Sequence, residues 1–369
     1  MALAEGIEFI MENTLLFKKV YGAMLGGAIG DALGGPVEKM EPEDIYAKYG
    51  NLDQYVPYTN PPSFHAHFGE GDRIGAYTDD TRLKHVHCEA IFLANGTPRQ
   101  GDLVQALANA YHSAPDEMYE GFIEEYYKKA IWREDKAVFS GEPTNGSLMA
   151  NSPLGLMTAC DPDAAYQLGY DLGFLTEGYA RTASAFFVAA LAEAMRPNAT
   201  VDSIIEVARS AHLNFARRRE GDKWHLMDWR YDPNLKFLDQ ALVVARDLKD
   251  VFALRQPLMD ILEWGHLFSE ATHTLVVALA MFVAAEGDVY KSIVGSIMYG
   301  RDKDSYASVA GALAGALHGV DAIPENWIQP VIDGNPEVDM LDYSKRLTTI
   351  IANENQVRQQ NATDLASLY

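Results

Sequence analysis

Gly22-Ala23-Met24-Leu25-Gly26-Gly27-Ala28-Ile29-Gly30-Asp31-Ala32-Leu33-Gly34 carries a glycine at every fourth residue, at positions 22, 26, 30 and 34. Residues four apart share one face of an α-helix. The spacing returns at Gly311, Gly315 and Gly319. Each interior helix glycine costs about 0.8–1 kcal/mol relative to alanine, so its repetition on one face predicts a compensating contact. A face without side chains lets a second helix come very close. Residues 22–34 and 305–319 are therefore expected to lie centrally against each other, holding Asp31, Glu38 and the acidic clusters described below at a fixed separation.

Helical patterning dominates the rest of the chain. Leu15 to Leu33, Asp102 to Tyr111, Glu117 to Ile131, Thr182 to Met195, Val201 to Arg218, Asn234 to Lys249, His273 to Ala285, Tyr290 to Tyr299 and Ser305 to His318 place apolar residues at three- and four-residue spacing. No segment sustains the period-two alternation of a strand, so no sheet is expected. Loops are expected at Pro57–Ser63, Gly141–Gly146 and Pro330–Pro336, none long enough to link domains. With 369 residues and 48% apolar content, the expectation is one all-α, compact, orthogonally packed domain over residues 1–369. A less regular Trp-rich section runs between Gly221 and Gly265.

The net charge of −22 argues against a nucleic-acid partner, because phosphate backbones recruit Lys/Arg surfaces. Arg217-Arg218-Arg219 is the only basic run, and Glu220 and Asp222 dilute it. Cys88 and Cys160 make no disulfide framework. The opening Met1-Ala2-Leu3-Ala4-Glu5 lacks a basic n-region followed by an apolar h-region. The longest uncharged apolar run, Leu275 to Ala285, is too short to span a bilayer. A cytoplasmic protein without a membrane partner is expected, and the sequence leaves the oligomeric state open.

Two acidic clusters carry the chemistry, Thr78-Asp79-Asp80-Thr81 and Asp302-Lys303-Asp304-Ser305. Crowded carboxylates repel unless a cation, a proton or water offsets them. Carboxylates with adjacent hydroxyls form an all-oxygen ligand set suited to Mg²⁺ or Mn²⁺. Brought together, the clusters would offer four carboxylates and at least two hydroxyls, enough for two metals sharing one bridging aspartate. Helix capping is the simpler alternative, since Thr and Asp are favoured N-caps. The second cluster, however, directly precedes Tyr306-Ala307-Ser308-Val309-Ala310-Gly311, whose small residues admit another backbone. The histidine pairs His65/His67 and His85/His87 have a spacing that does not share a helix face, and His85 with Cys88 is too few ligands for zinc.

Four blocks in order resemble the ADP-ribosylglycohydrolase family, the group that includes dinitrogenase-reductase-activating glycohydrolase and the ADP-ribosylarginine hydrolases. They are Gly26 to Gly34 with Glu38; Tyr77-Thr78-Asp79-Asp80-Thr81; Asn145-Gly146-Ser147-Leu148-Met149; and Gly300-Arg301-Asp302-Lys303-Asp304-Ser305 with the glycine-spaced helix after it. The resemblance implies a compact all-α protein with a binuclear Mg²⁺ or Mn²⁺ site at the mouth of a cleft. Thr78, Asp79 and Asp80 would bind one metal, and Asp302, Asp304 and Ser305 the other, with Asp304 as bridge. Ser305 stands where the family usually has threonine. Glu38 corresponds to an acidic position beside the metals, and Asn145, Gly146 and Ser147 to a loop lining the substrate cleft. The chain departs from the pattern at Arg301, Lys303, Ala150 and Glu177. The last two remove positive charge where a diphosphate could sit, unless Arg181 or Arg301 compensates.

The implied activity is hydrolysis of a glycosidic bond at ribose C1, through an oxocarbenium-like transition state assisted by carboxylates. The substrate would be ADP-ribosylated, either a small molecule or a protein, with free ribose hydroxyls. Glu38 or Asp79 would be the acid/base, and Glu38 is favoured because a tight metal ligand is a poor base. The competing expectations are a nucleosidase acting on small ribosides and a non-catalytic relative that keeps only the scaffold.

Overall fold

Thr14 opens the first long described helix, its hydroxyl accepting the Phe17 amide at 3.1 Å, as an N-cap does. Helix α1 (Leu15–Gly34) follows, and from Gly22 onward every residue is buried. A helix this apolar on all sides belongs inside a core. In the computed structural model, residues 12–58, 73–113, 143–176, 178–218, 232–263 and 268–369 are described. After α1 come α2 (Pro42–Tyr49), α3 (Asp79–Ala94), α4 (Gln100–Ser113), α5 (Gly146–Ala150), α6 (Ser152–Met157), α7 (Pro162–Leu172) and α8 (Tyr179–Ala194). The chain continues through α9 (Val201–Arg218), α10 (Pro233–Leu248), α11 (Arg255–Ile261), α12 (Ala271–Ala284), α13 (Val289–Tyr299), α14 (Lys303–His318), α15 (Glu325–Gly334) and α16 (Met340–Ala366). Among the described residues there is no strand, only an isolated antiparallel bridge between Thr144 and Glu270.

The glycine faces meet as their spacing predicts. Gly22 lies against Gly315, Gly26 against Gly311, Gly30 against Ala307 and Gly34 against Asp304, so α1 and α14 run antiparallel with their backbones in contact. A Cβ on Gly22 would sit 2.5 Å from the Gly315 carbonyl oxygen, and one on Gly34 only 2.6 Å from Asp304 Cα. Gly319 has a different role. It ends α14 in a left-handed conformation, φ 80°, which glycine adopts without a steric penalty.

Around this pair, α12 is buried at every residue and α8 at nearly every residue. One apolar core runs from Val20 to Ile351 through the described helices. Lys19 is buried within it and donates to Ala194 O at 2.8 Å, Ala316 O at 2.9 Å and Leu317 O at 2.7 Å. One ammonium thus closes the carboxyl ends of both α8 and α14, where the helix dipoles favour a cation. Burial lowers its pKa to about 8.

The expected loop at Pro330–Pro336 needs correction. Helix α15 runs through Pro330 to Gly334, because Trp327, Val331 and Gly334 all face the core and that burial outweighs the hydrogen bond that proline forfeits. The expected helix Glu117–Ile131, His65, His67, Glu177 and residues 221–231 and 264–265 of the Trp-rich section lie outside the described residues. No described helix is long and apolar enough to cross a membrane.

Adding a methyl at the seam should therefore be far more disruptive than adding one to an open helix. Gly311→Ala meets the Gly26 backbone and should lose about 2–3 kcal/mol in urea unfolding. Gly101→Ala, with nothing within 4 Å of its new Cβ, should gain about 0.5–1 kcal/mol.

Candidate active site

The seam between α1 and α14 ends at the acidic clusters. Asp31, wholly buried in the last turn of α1, accepts from Thr78 N at 2.8 Å, Thr81 N at 2.9 Å and Thr81 Oγ1 at 2.6 Å. A carboxylate from one helix thereby caps the start of another and fixes α3 against α1. Thr78 caps its own helix weakly, accepting Asp80 N at 3.4 Å. Asp302 stands at the N-cap of α14 but makes no capping bond, so capping does not account for its carboxylate.

Two contacts join the clusters across the fold. Thr78 Oγ1 donates to Asp304 Oδ2 at 3.4 Å, and Ser305 Oγ donates to Asp80 Oδ2 at 3.2 Å. Glu38, just past the 3-10 turn Gly35–Val37, completes the group. One carboxylate oxygen from each of Glu38, Asp302 and Asp304 lies within 4.8 Å of the others. Asp80 Oδ1 and Asp304 Oδ1 are buried with no hydrogen-bond partner.

Buried acceptors without donors are rare and costly. Here they belong to two clusters that hydrogen bonds join, among like charges. Burial first, and then the neighbouring carboxylates, raises Glu38 to about 8, Asp79 to about 7 and Asp304 to about 6. Asp80 and Asp302 rise for the same reasons. A hard divalent cation would satisfy the open oxygens and remove the repulsion, and an all-oxygen set is the donor chemistry that Mg²⁺ or Mn²⁺ takes. These residues fit such an ion.

Of the expected cleft loop, only Asn145 bonds to the acidic groups. Its Nδ2 donates to Asp302 Oδ2 at 2.7 Å and to Thr274 Oγ1 at 3.0 Å. Gly146 and Ser147 start α5, and the buried Ser147 hydroxyl has no partner. Arg181 donates through Nε and Nη2 to Tyr170 O, at 3.1 and 2.7 Å, and lies over the Tyr170 ring. Its guanidinium is thus engaged at the end of α7.

Sequence reasoning missed Lys84. It is 1% exposed, one turn beyond Asp80 on α3, and its ammonium donates to Ser308 Oγ through a very short hydrogen bond. Gly27 leaves the room, since a Cβ there would lie 3.3 Å from Lys84 Nζ. Burial lowers the Lys84 pKa, while Asp80, Asp31, Asp304 and Asp79 oppose that shift. The signal was available: Lys84 is at i+4 from Asp80, on the same helix face.

The model of the ADP-ribosylglycohydrolase family matches residues 12–360. The chain belongs to this family. It is a hydrolase acting on glycosyl bonds. Human ADP-ribosylhydrolase ARH3 is 23% identical over 350 residues, covering 88% of this chain and 91% of the relative. The uncharacterized protein YegU of Escherichia coli K12 is 25% identical over 368 residues, covering 93% and 98%. A solved structure described as an ADP-ribosylglycohydrolase-related protein complex superposes with a TM-score of 0.62 at 22% identity, over 91% of this chain and 99% of that one. The family fold is therefore present along nearly the whole length, with the acidic clusters at the end of its central helix pair.

Lys84→Met removes a buried positive charge from among these carboxylates. In excess chelator it should lose about 3 kcal/mol or more in urea unfolding, and saturating Mg²⁺ should recover much of that loss.

Proposed function

We propose that this glycosyl hydrolase cleaves the C1 glycosidic bond of an ADP-ribosyl group with the help of two divalent cations, Mg²⁺ or Mn²⁺. Thr78, Asp79 and Asp80 would hold one ion and Asp302, Asp304 and Ser305 the other, with Asp304 shared. The observation that carries this is the convergence of two sequence-distant clusters around carboxylate oxygens without donors. The two ions would orient the ribose hydroxyls and favour ionisation of a nearby water.

The residues themselves supply the proton handling. Glu38 is half-buried, its carboxylate has no hydrogen bond among the described residues, and burial raises its pKa to about 8. It can protonate the leaving oxygen or nitrogen as the C1 bond breaks and the bonding pair departs. It can then accept a proton from the water that attacks C1. Asp79 is the other candidate acid/base, but a direct metal ligand is a poorer base. Asn145 orients Asp302, and Asp31 orients Thr78. As the cleft loop, Asn145, Gly146 and Ser147 would approach the substrate.

Ala150, in place of the family's arginine and 1% exposed, favours a second reading: a smaller riboside without a diphosphate. Hydrolysis of ADP-ribosylated arginine and of free nucleosides, each with and without chelator, separates the two. Chelator-sensitive release of ADP-ribose is expected, together with calorimetric binding of ADP-ribose that requires metal. Turnover of uncharged ribosides alone would replace the first reading with the second. Asp304→Asn should weaken Mg²⁺ binding at least about tenfold and abolish most turnover, while helical circular dichroism stays unchanged.

A further inference from the structure

Lys303 separates Asp302 from Asp304, so a salt bridge to either would be the simplest use of its charge. The ammonium goes elsewhere. Lys303 is 1% exposed, and its Nζ donates to Glu38 O at 3.0 Å, Met40 O at 2.6 Å and Arg301 O at 3.4 Å. A lysine has three donors, and all three end on main-chain carbonyls. Left-handed backbone at Gly300 (φ 105°) and Arg301 (φ 55°) turns the loop that brings Arg301 O to this ammonium.

The segment it grips is anchored in the core by Val37 but carries few hydrogen bonds of its own. The turn Gly35–Val37 is a single 3-10 turn, closed by Glu38 N to Gly35 O at 3.2 Å and Met40 N to Val37 O at 2.8 Å. Among the described residues the Glu38 side chain has no hydrogen-bond partner that could place it, so the main chain decides where its carboxylate sits. Upstream, Gly34 presses on the Asp304 backbone. Downstream, among the described residues, Lys303 is the side chain whose hydrogen bonds tie the carbonyls of Glu38 and Met40 to the loop carrying Asp302 and Asp304.

We infer that Lys303 is a positioning residue that latches the Glu38 turn to the Asp302–Asp304 loop. It holds the Glu38 carboxylate beside those two aspartates before substrate arrives. The functional part of this inference rests on Glu38 being the acid/base group; the latch itself does not.

Lys303→Met keeps most of the side chain's length and removes its donors. Hydrogen exchange by mass spectrometry should show residues 35–41 exchanging about tenfold faster or more, as expected for the loss of two charge-assisted hydrogen bonds. Turnover of an ADP-ribosylated peptide should show kcat reduced about 10–100-fold with KM little changed. Calorimetric Mg²⁺ affinity should stay within a few-fold of the parent protein. Lys303→Gln, which keeps one donor group, should fall between the parent and Lys303→Met in both exchange and kcat. If the methionine variant does not fold, the glutamine variant alone decides by the same readouts. Unchanged exchange at 35–41 overturns the latch, as does Mg²⁺ affinity falling in step with kcat. If the parent protein cleaves no ADP-ribosyl substrate, the proposed function fails on that result, and the exchange comparison still decides the latch.

Discussion

The contact between the α1 and α14 backbones governs the rest of the structure. Side chains ordinarily hold packed helices about 8–10 Å apart. Here glycine faces remove that spacer at Gly22, Gly26, Gly30, Gly311 and Gly315. The last rung, Gly34 against Asp304, lies where the acidic groups begin. The carboxyl end of α1 and the amino end of α14 therefore arrive at the same point. That amino end carries Asp302 and Asp304, where the positive pole of the helix dipole favours carboxylates.

Asp31 extends this alignment to a third helix. It spends both oxygens on the first turn of α3, which places Thr78, Asp79 and Asp80 without drawing on their own side chains. Each cluster is thus held from outside: the first by Asp31, the second by Asn145 and the seam. The oxygens left over, Asp80 Oδ1 and Asp304 Oδ1, stay buried without a hydrogen-bond partner. Repulsion there is moderated from within by Lys84, which leaves the open oxygens available to a diffusible cation. The two buried lysines at the site divide the work. Lys84 contributes charge beneath the cluster, whereas Lys303 spends its donors on main-chain carbonyls of the Glu38 turn.

Several helices with one apolar face were legible because their pattern repeats over several turns; Val201–Arg218 matches to the residue, whereas the longest, α16, was missed because it buries nothing beyond Ile351. The short helices α2, α5, α6 and α11 span too few turns to show a period. Helix α3 was obscured differently. It is buried around most of its circumference, with Lys84, His85, His87 and Cys88 all inside, so its polar residues do not mark a solvent face. His85 and His87 are instead held neutral by burial, which lowers their pKa values to about 3 and about 4.

The sequence by itself determined the all-helical class, the central pair and the two acidic clusters. Each is written in local spacing: glycines four apart, apolar residues at helical period, and carboxylates beside hydroxyls. Tertiary structure alone decided that Asp31 is a cap for α3, that Asn145 holds Asp302, and that Lys303 turns away from its flanking carboxylates to grip the Glu38 turn. Those contacts join residues from 47 to 265 positions apart. Their geometry exists only once the glycine seam has brought α1 and α14 together, because a side chain's partner is set by which backbones are adjacent, not by its own identity.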